Sequence, residues 1–270
     1  MIAVSDFDEL FEVGIEEKLD VIIVGAGLLI KKPESLTDEE FLSTNTKIIP
    51  KISSARAAHL TFKIWNKKFG KVPHAVVIEG SKAGGHLGFK KNEILQDSMP
   101  LDQIIYETKE SLKKFEDKFG HKITIIAGGG IYDGEDIYNA IKNGADAVKM
   151  GTRFVTSHEC DADINFKMQY INSKEEDMTV IDSPVGLPGR AIENDFIRNS
   201  RNGDTKPVNC PWKCLKTCDY TKVPYCIAKA LFNAAKGNLE EGFAFAGRNA
   251  YKATKIQFVK EIFDELYDEY

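Results

Sequence analysis

Three groups of residues in this 270-residue chain have types and spacings that do chemistry. The first is a histidine on bare backbone: in "EGSKAGGHLG", His86 follows Gly84 and Gly85 just after the apolar run "HAVVI". Imidazole titrates near neutrality, so this side chain could move a proton, or it could simply donate to a loop carbonyl. The second group is a pair of glycine-rich strand ends. "IAGGGIYDGED" leads three glycines into a helix start near Asp133 to Glu135, and "KMGTRF" repeats the theme at Gly151, with the Thr152 hydroxyl and Arg153 beside it. Free backbone N–H groups and helix starts bind phosphate, although a lone glycine triplet is also an ordinary tight turn. The third is "NCPWKCLKTCDYTKVPYC", which gathers Cys210, Cys214, Cys218 and Cys226, four of the five cysteines. Four thiolates can enclose zinc or an iron–sulfur cluster. The C-x3-C-x3-C-x7-C spacing lacks the two-residue gaps of a zinc ribbon. If Pro211 opens a helix, Cys210, Cys214 and Cys218 share one face; reduced thiols and disulfides are the alternatives.

Such residues need elements that bring them to one place. Five β-branched runs read as strands buried on both faces: "DVIIVGAG", "TKIIPKISS", "HAVVIEG", "KITIIAGGG" and "ADAVKMG". Amphipathic stretches alternate with them, among them "LDQIIYETKESLKKFEDKFG" and "GEDIYNAIKNG", which end on glycine as helices often do. The β-then-α order predicts a parallel sheet. A dinucleotide fold carries its glycine fingerprint at the first strand only, whereas here glycines close nearly every strand, as in a barrel that builds its site from many loops. The expectation is an α/β chain of (β/α)8 TIM-barrel type. A closed barrel needs about eight strands; five are present, and "MIAVS" could be the tail of a sixth. Two to three βα units are therefore expected to be absent, leaving a fragment or half of an assembly with open sheet edges that invite pairing.

The net charge of −5, with lysines spread among acids, gives no reason to expect nucleic acid. The longest apolar stretch, "VIIVGAGLLI", is too short to span a bilayer, and no secretory signal is evident. A cytoplasmic location with no membrane partner is expected.

Taken together, "EGSKAGGHLG", "IAGGGIYDGEDIYNAIKNGADAVKMGTRF" and the trailing "SHEC" resemble the nitronate monooxygenase (2-nitropropane dioxygenase) family, a relative of the FMN-dependent enoyl-ACP reductases. The resemblance implies FMN at the mouth of a partial TIM barrel over residues 1–157, with a smaller, mainly helical region over 158–270 that contains the cysteine cluster. It places Glu79, Gly84, Gly85, Gly129, Gly130, Lys149, Met150, Gly151 and Thr152 at the cofactor and His86 as the catalytic histidine. Lys149 stands where relatives often carry Gln. On this reading Gly84 and Gly85 let the backbone pass close to a flat cofactor, and His86 removes a proton beside a nitro group or steadies the nitronate anion. Ser53 and Ser54 could face the ring or the substrate, and His59, His74, His121 and His158 read as structural or solvent-facing. Arg190, in the Pro/Gly-rich "DSPVGLPGRAIENDF", reads as a solvated loop arginine, with reach to an anionic substrate as the alternative. The implied reaction is oxidation of a small-molecule nitronate with oxygen. The alternatives are an enoyl-ACP reductase using NAD(P)H and an enoyl substrate, and a truncated, non-catalytic chain or assembly partner; a homodimer is left open.

Overall fold

The computed structural model describes every residue except Pro207 and Pro211. The alternating part comprises α1 (Phe7–Glu16), β1 (Val21–Val24), α2 (Asp38–Ser43), β2 (Lys47–Ile52), α3 (Ala55–Phe69), β3 (Ala75–Glu79), β4 (Gly85–His86), α4 (Lys91–Leu95), α5 (Leu101–Phe119), β5 (Thr124–Gly128), α6 (Gly134–Lys142), β6 (Ala147–Lys149) and α7 (Thr152–Val155). The remainder comprises α8 (Ile164–Ile171), β7 (Met178–Asp182), β8 (Pro188–Ile192), α9 (Asp195–Arg201), α10 (Ile227–Ala235) and α11 (Val259–Glu269).

All five expected strands form. They make one parallel sheet in the order β1-β2-β3-β5-β6. The order follows the chain without reversal, so there is no switch point of the doubly wound kind, and the sheet is of TIM-barrel type. Strand alternation divides the apolar residues between two faces. Ile52, Val76, Ile78, Ile125 and Ala127 pack against Phe62, Ile104, Leu112 and Phe115 of the helices, while Ile49, Ala75, Val77 and Ile126 cluster on the opposite, inner face. Each Val, Ile, Leu or Phe among them contributes about 1.5–3 kcal/mol by leaving water. Because the strands are parallel, their C-terminal ends share one rim, and every glycine-rich loop falls there.

Three segments differ from the sequence reading. "MIAVS" is not a sixth strand: Val4 makes an isolated bridge to Leu215, and Ile2 N–H donates to the Gly25 carbonyl at 2.9 Å. The region after His158 carries helices α8 to α11, but "MTVID" and "PGRAI", expected as helix and loop, form the antiparallel hairpin β7–β8, to which β4 adds as a third strand. "FAFAG", within the region expected to be mainly helical, runs extended beside β8, with Ile192 N–H to the Ala244 carbonyl (3.1 Å) and Ala246 N–H to the Arg190 carbonyl (3.2 Å). Finally, α11 returns to the helical layer: Gly134 N–H donates to Glu269 Oε2 at 2.9 Å, and Arg153 pairs with Glu265.

Candidate active site

Residues from four strand ends meet on the rim. Glu79 closes β3, opposite Gly128 of β5, which in turn lies opposite Lys149 of β6. The Glu79 carboxylate accepts from Lys51 Nζ at 2.6 Å, so its charge is compensated from β2. Ser53, after β2, donates to the Gly88 carbonyl at 2.8 Å and ties down the far end of the Gly80–Gly88 loop. Ser54, expected to face a ring or substrate, instead accepts from Ala57 N–H as the N-cap of α3.

Each glycine on the rim has a separate physical reason. Gly129 sits at φ 97°, and a Cβ there would lie 2.8 Å from the Gly80 carbonyl oxygen. Gly84 is bare because a Cβ would lie 2.5 Å from the Ala246 carbonyl carbon and 2.6 Å from Gly247 N. Its close approach is to the chain's own backbone, which corrects the expectation of an approach to a cofactor. Gly85, at φ 78°, and Gly151 have nothing within 4 Å of where a Cβ would be, so these two face open space.

The amide inventory narrows the expected phosphate cradle. The start of α6 is already satisfied: Asp133 Oδ1 accepts from Asp136 N–H, Asp136 Oδ2 from Tyr132 N–H, and Glu269 Oε2 from Gly134 N–H. Three carboxylates at that helix start repel an anion, so the expectation of a phosphate there is overturned. Outside the strand and helix ladders, the N–H groups of Gly129, Gly130 and Gly151 have no acceptor among the described residues. Thr152 Oγ1, expected to meet phosphate, accepts from Gly247 N–H at 3.0 Å. Met150 lies between them and packs against the helix-side core, with Lys149 exposed beside it.

Sequence reasoning missed the segment that crosses this rim. Arg248 N–H donates to the Lys82 carbonyl at 2.9 Å, and Asn249 Nδ2 to the Gly130 carbonyl at 2.6 Å. With Gly247 on Thr152, three consecutive residues lace the second part of the chain to the glycine turns. The large-small alternation of Phe243, Ala244, Phe245 and Ala246 is the signal that marks it as extended.

His86 lies at the edge of this arrangement, in the short strand β4, with Gly85 opposite Arg190 and His86 opposite Gly189. Its Nε2 is 2.7 Å from Ser183 Oγ, and its ring meets Phe245 edge-on with centroids 5.0 Å apart. Burial lowers its pKa from the ordinary 6.5, so it is neutral at pH 7. Arg190 is not a solvated loop residue. It is 5% exposed, its Nη2 donates to the Ser81 carbonyl at 2.9 Å, and burial holds its pKa down at about 10, so it stays charged. Ser81 Oγ in turn donates to Asp97, which pairs with Lys82 at 3.1 Å. The hairpin thus clamps the Gly80–Gly88 loop through a buried cation.

The cysteine cluster does not form the expected centre. Among the described residues no group of three or more His, Cys, Asp or Glu side chains is arranged to hold a metal ion, and all five cysteines are free thiols. Pro211 lies outside the described residues, and among the described residues between α9 and α10 there is no helix to align Cys210, Cys214 and Cys218. Burial and then the neighbouring Cys210, Cys214 and Cys226 push the Cys218 thiol up, which keeps it protonated. No described helix is long and apolar enough to cross a membrane.

Comparison with known proteins agrees with this geometry. A probable nitronate monooxygenase of Staphylococcus saprophyticus is 30% identical over 207 residues, covering 77% of this chain and 53% of the relative. One from Staphylococcus aureus is 34% identical over 166 residues, covering 61% and 42% respectively. The chain therefore spans about half the length of the curated relatives it matches. Among solved structures, FabK from Thermotoga maritima superposes with a TM-score of 0.73 at 27% identity, covering 98% of this chain and 72% of that one. A nitroalkane oxidase from Streptomyces ansochromogenes, at 18% identity and TM-score 0.70, covers 97% of this chain and 67% of its own and shares the fold. The family profile described as nitronate monooxygenase matches residues 2–269, and this chain belongs to the nitronate monooxygenase family.

Proposed function

We propose that this chain carries the cofactor face and the proton-transfer histidine of an FMN-dependent oxidoreductase that oxidises alkyl nitronates with oxygen. The observation that carries the reading is the set of N–H groups at Gly129, Gly130 and Gly151, which outside the strand and helix ladders have no acceptor among the described residues, on the same rim as a neutral half-buried imidazole. These amides suit a phosphate, which they would hold with the open space beside Gly151 and Gly85. Lys149 and the Lys51–Glu79 pair line the inner face below them. Bound there, FMN would supply the electron sink of the oxidation.

The chain's own residues account for binding and proton movement. A nitronate is an anion, and Arg190, charged and buried across the ladder from Gly85, gives this part of the site a fixed positive charge. His86, neutral at pH 7, can take the proton from the carbon beside the nitro group of a neutral nitroalkane, leaving the nitronate anion that is then oxidised. Phe245 at its edge and the β7–β8 hairpin keep water from one side of the ring.

A second reading, an enoyl-ACP reductase consuming NAD(P)H, is favoured by the 0.73 TM-score to FabK. Adding FMN to the purified 270-residue chain and recording visible absorbance tests the cofactor face, and inorganic phosphate should compete. Oxygen uptake with an alkyl nitronate supports the first activity; NAD(P)H loss with an enoyl thioester supports the second. Failure to retain flavin would leave the reading of a non-catalytic assembly partner.

A further inference from the structure

His86 has two ring nitrogens in different surroundings. Nε2 meets Ser183 Oγ at 2.7 Å, whereas Nδ1 bonds no described group and is absent from the buried polar atoms left without a partner, so solvent reaches it. Ser183 is itself 6% exposed and is held rigidly. Its N–H donates to the Leu187 carbonyl at 3.1 Å, its carbonyl accepts from Gly186 N–H at 2.9 Å, and the hairpin whose turn it begins is stitched to β4 by Leu87 N–H to the Pro188 carbonyl at 2.9 Å. Gly189 completes the setting, because a Cβ there would lie 2.8 Å from Phe245 Cε1 and push that ring off the imidazole.

We propose that Ser183 is the positioning residue of His86: its oxygen accepts from Nε2–H, fixes that tautomer, and leaves the Nδ1 lone pair as the atom that exchanges a proton with substrate. The inference rests on His86 being the base in the function proposed above. Which nitrogen of an imidazole reacts is set by the bond the other one makes. When Nδ1 takes a proton the ring becomes a cation, and the Ser183 oxygen then accepts a charge-assisted bond that steadies it. The arrangement needs no carboxylate, and burial alone accounts for the lowered pKa of His86.

The test is two-bond 1H–15N NMR of the imidazoles in the full chain, with His86 assigned through His86→Gln, together with turnover of a neutral nitroalkane, which still carries the proton the base takes, after loading with FMN. Wild type is expected to show protonated Nε2 and bare Nδ1. Ser183→Ala should lose that preference, lower the His86 titration midpoint, and cut kcat about tenfold with KM little changed. Ser183→Thr, which keeps the hydroxyl, should restore all three. A wild-type Nδ1–H tautomer overturns the inference. So does a Ser183→Ala chain that titrates and turns over as wild type where His86→Gln does not. If His86→Gln itself turns over normally, it is the assignment of the base that falls, with the NMR result unaffected.

Discussion

At the residue scale, burial without a charged partner decides what His86 is. Its folded pKa lies below the 6.5 of a free imidazole, so the neutral, proton-accepting form persists into mildly acidic solution. The acid limb of kcat/KM for oxidation of a neutral nitroalkane should therefore have its midpoint below 6.5, and a rate profile between pH 5 and 8 would read it. The sign for stability is opposite. Between the two pKa values the unfolded chain binds more protons than the folded one, so acidification below 6.5 should favour unfolding through this residue, and His86→Gln should lessen that sensitivity in thermal melts. The sequence made His86 conspicuous because two glycines precede it, but it hid Arg190. Two prolines and two glycines just before that arginine read as loop, since such residues are rare inside strands. β8 tolerates them because Pro188 is its first residue and Gly189 makes room for Phe245.

At the element scale, the five β-branched runs were legible because strands buried on both faces are continuous and apolar. The hairpin β7–β8 was not, since "MTVID" is short and follows a helical pattern directly. The start of α6 was misjudged for a different reason: Asp133 and Asp136 form a reciprocal capping pair, a signature present in the sequence, and it consumes the amides that a phosphate would need. The glycines separate the two kinds of contact experimentally. Gly84→Ala drives a methyl into the Ala246–Gly247 backbone and should cost about 1–3 kcal/mol in urea unfolding. Gly85→Ala meets no atom within 4 Å and bears only the positive φ, so it should cost roughly 1 kcal/mol. Equal losses would mean the Gly247 segment does not press on the loop. Helix α11 offers a parallel test. Burial raises the Glu265 pKa, but hydrogen bonds from Lys255 and Gln257 and the charge of Arg153 outweigh it, and the net value is below 4.5. The stability it adds is present above pH 4.5 and lost as pH falls through the folded value. Glu265→Ala, which strands the buried Arg153, should lower the melting temperature at pH 7 by several degrees and erase that part of the acid dependence.

At the scale of the whole molecule, the sheet's order carries a consequence for the chain in solution. β1 lies at one edge of the five-stranded sheet, and the residues it turns to the inner face, Val21 and Ile23, are 45% and 49% exposed. Beside it, α1 exposes Leu10 and Val13, and on the other side α11 exposes Phe263 and Tyr267. An edge strand offers a row of unpaired N–H and C=O groups, and one with exposed β-branched side chains is a template for another strand. The sheet was legible from the sequence as open, but which side chains its inner face exposes required the register, because one residue of slip would exchange Ile22 and Ile23 between helix and inner face. The 270-residue chain should accordingly self-associate in a concentration-dependent way, visible as a rising sedimentation coefficient at micromolar concentrations. Ile23→Lys places a charge on the inner face without touching the helix-side core that Ile22 and Val24 join. It should weaken association at least tenfold, or about 1.4 kcal/mol, while Leu10→Lys, on the outer surface of α1, serves as a control for the helix. A wild-type chain that sediments as a monomer throughout, or an Ile23→Lys chain that associates as strongly as wild type, would show that the β1 edge is protected by something other than its neighbours in this sheet.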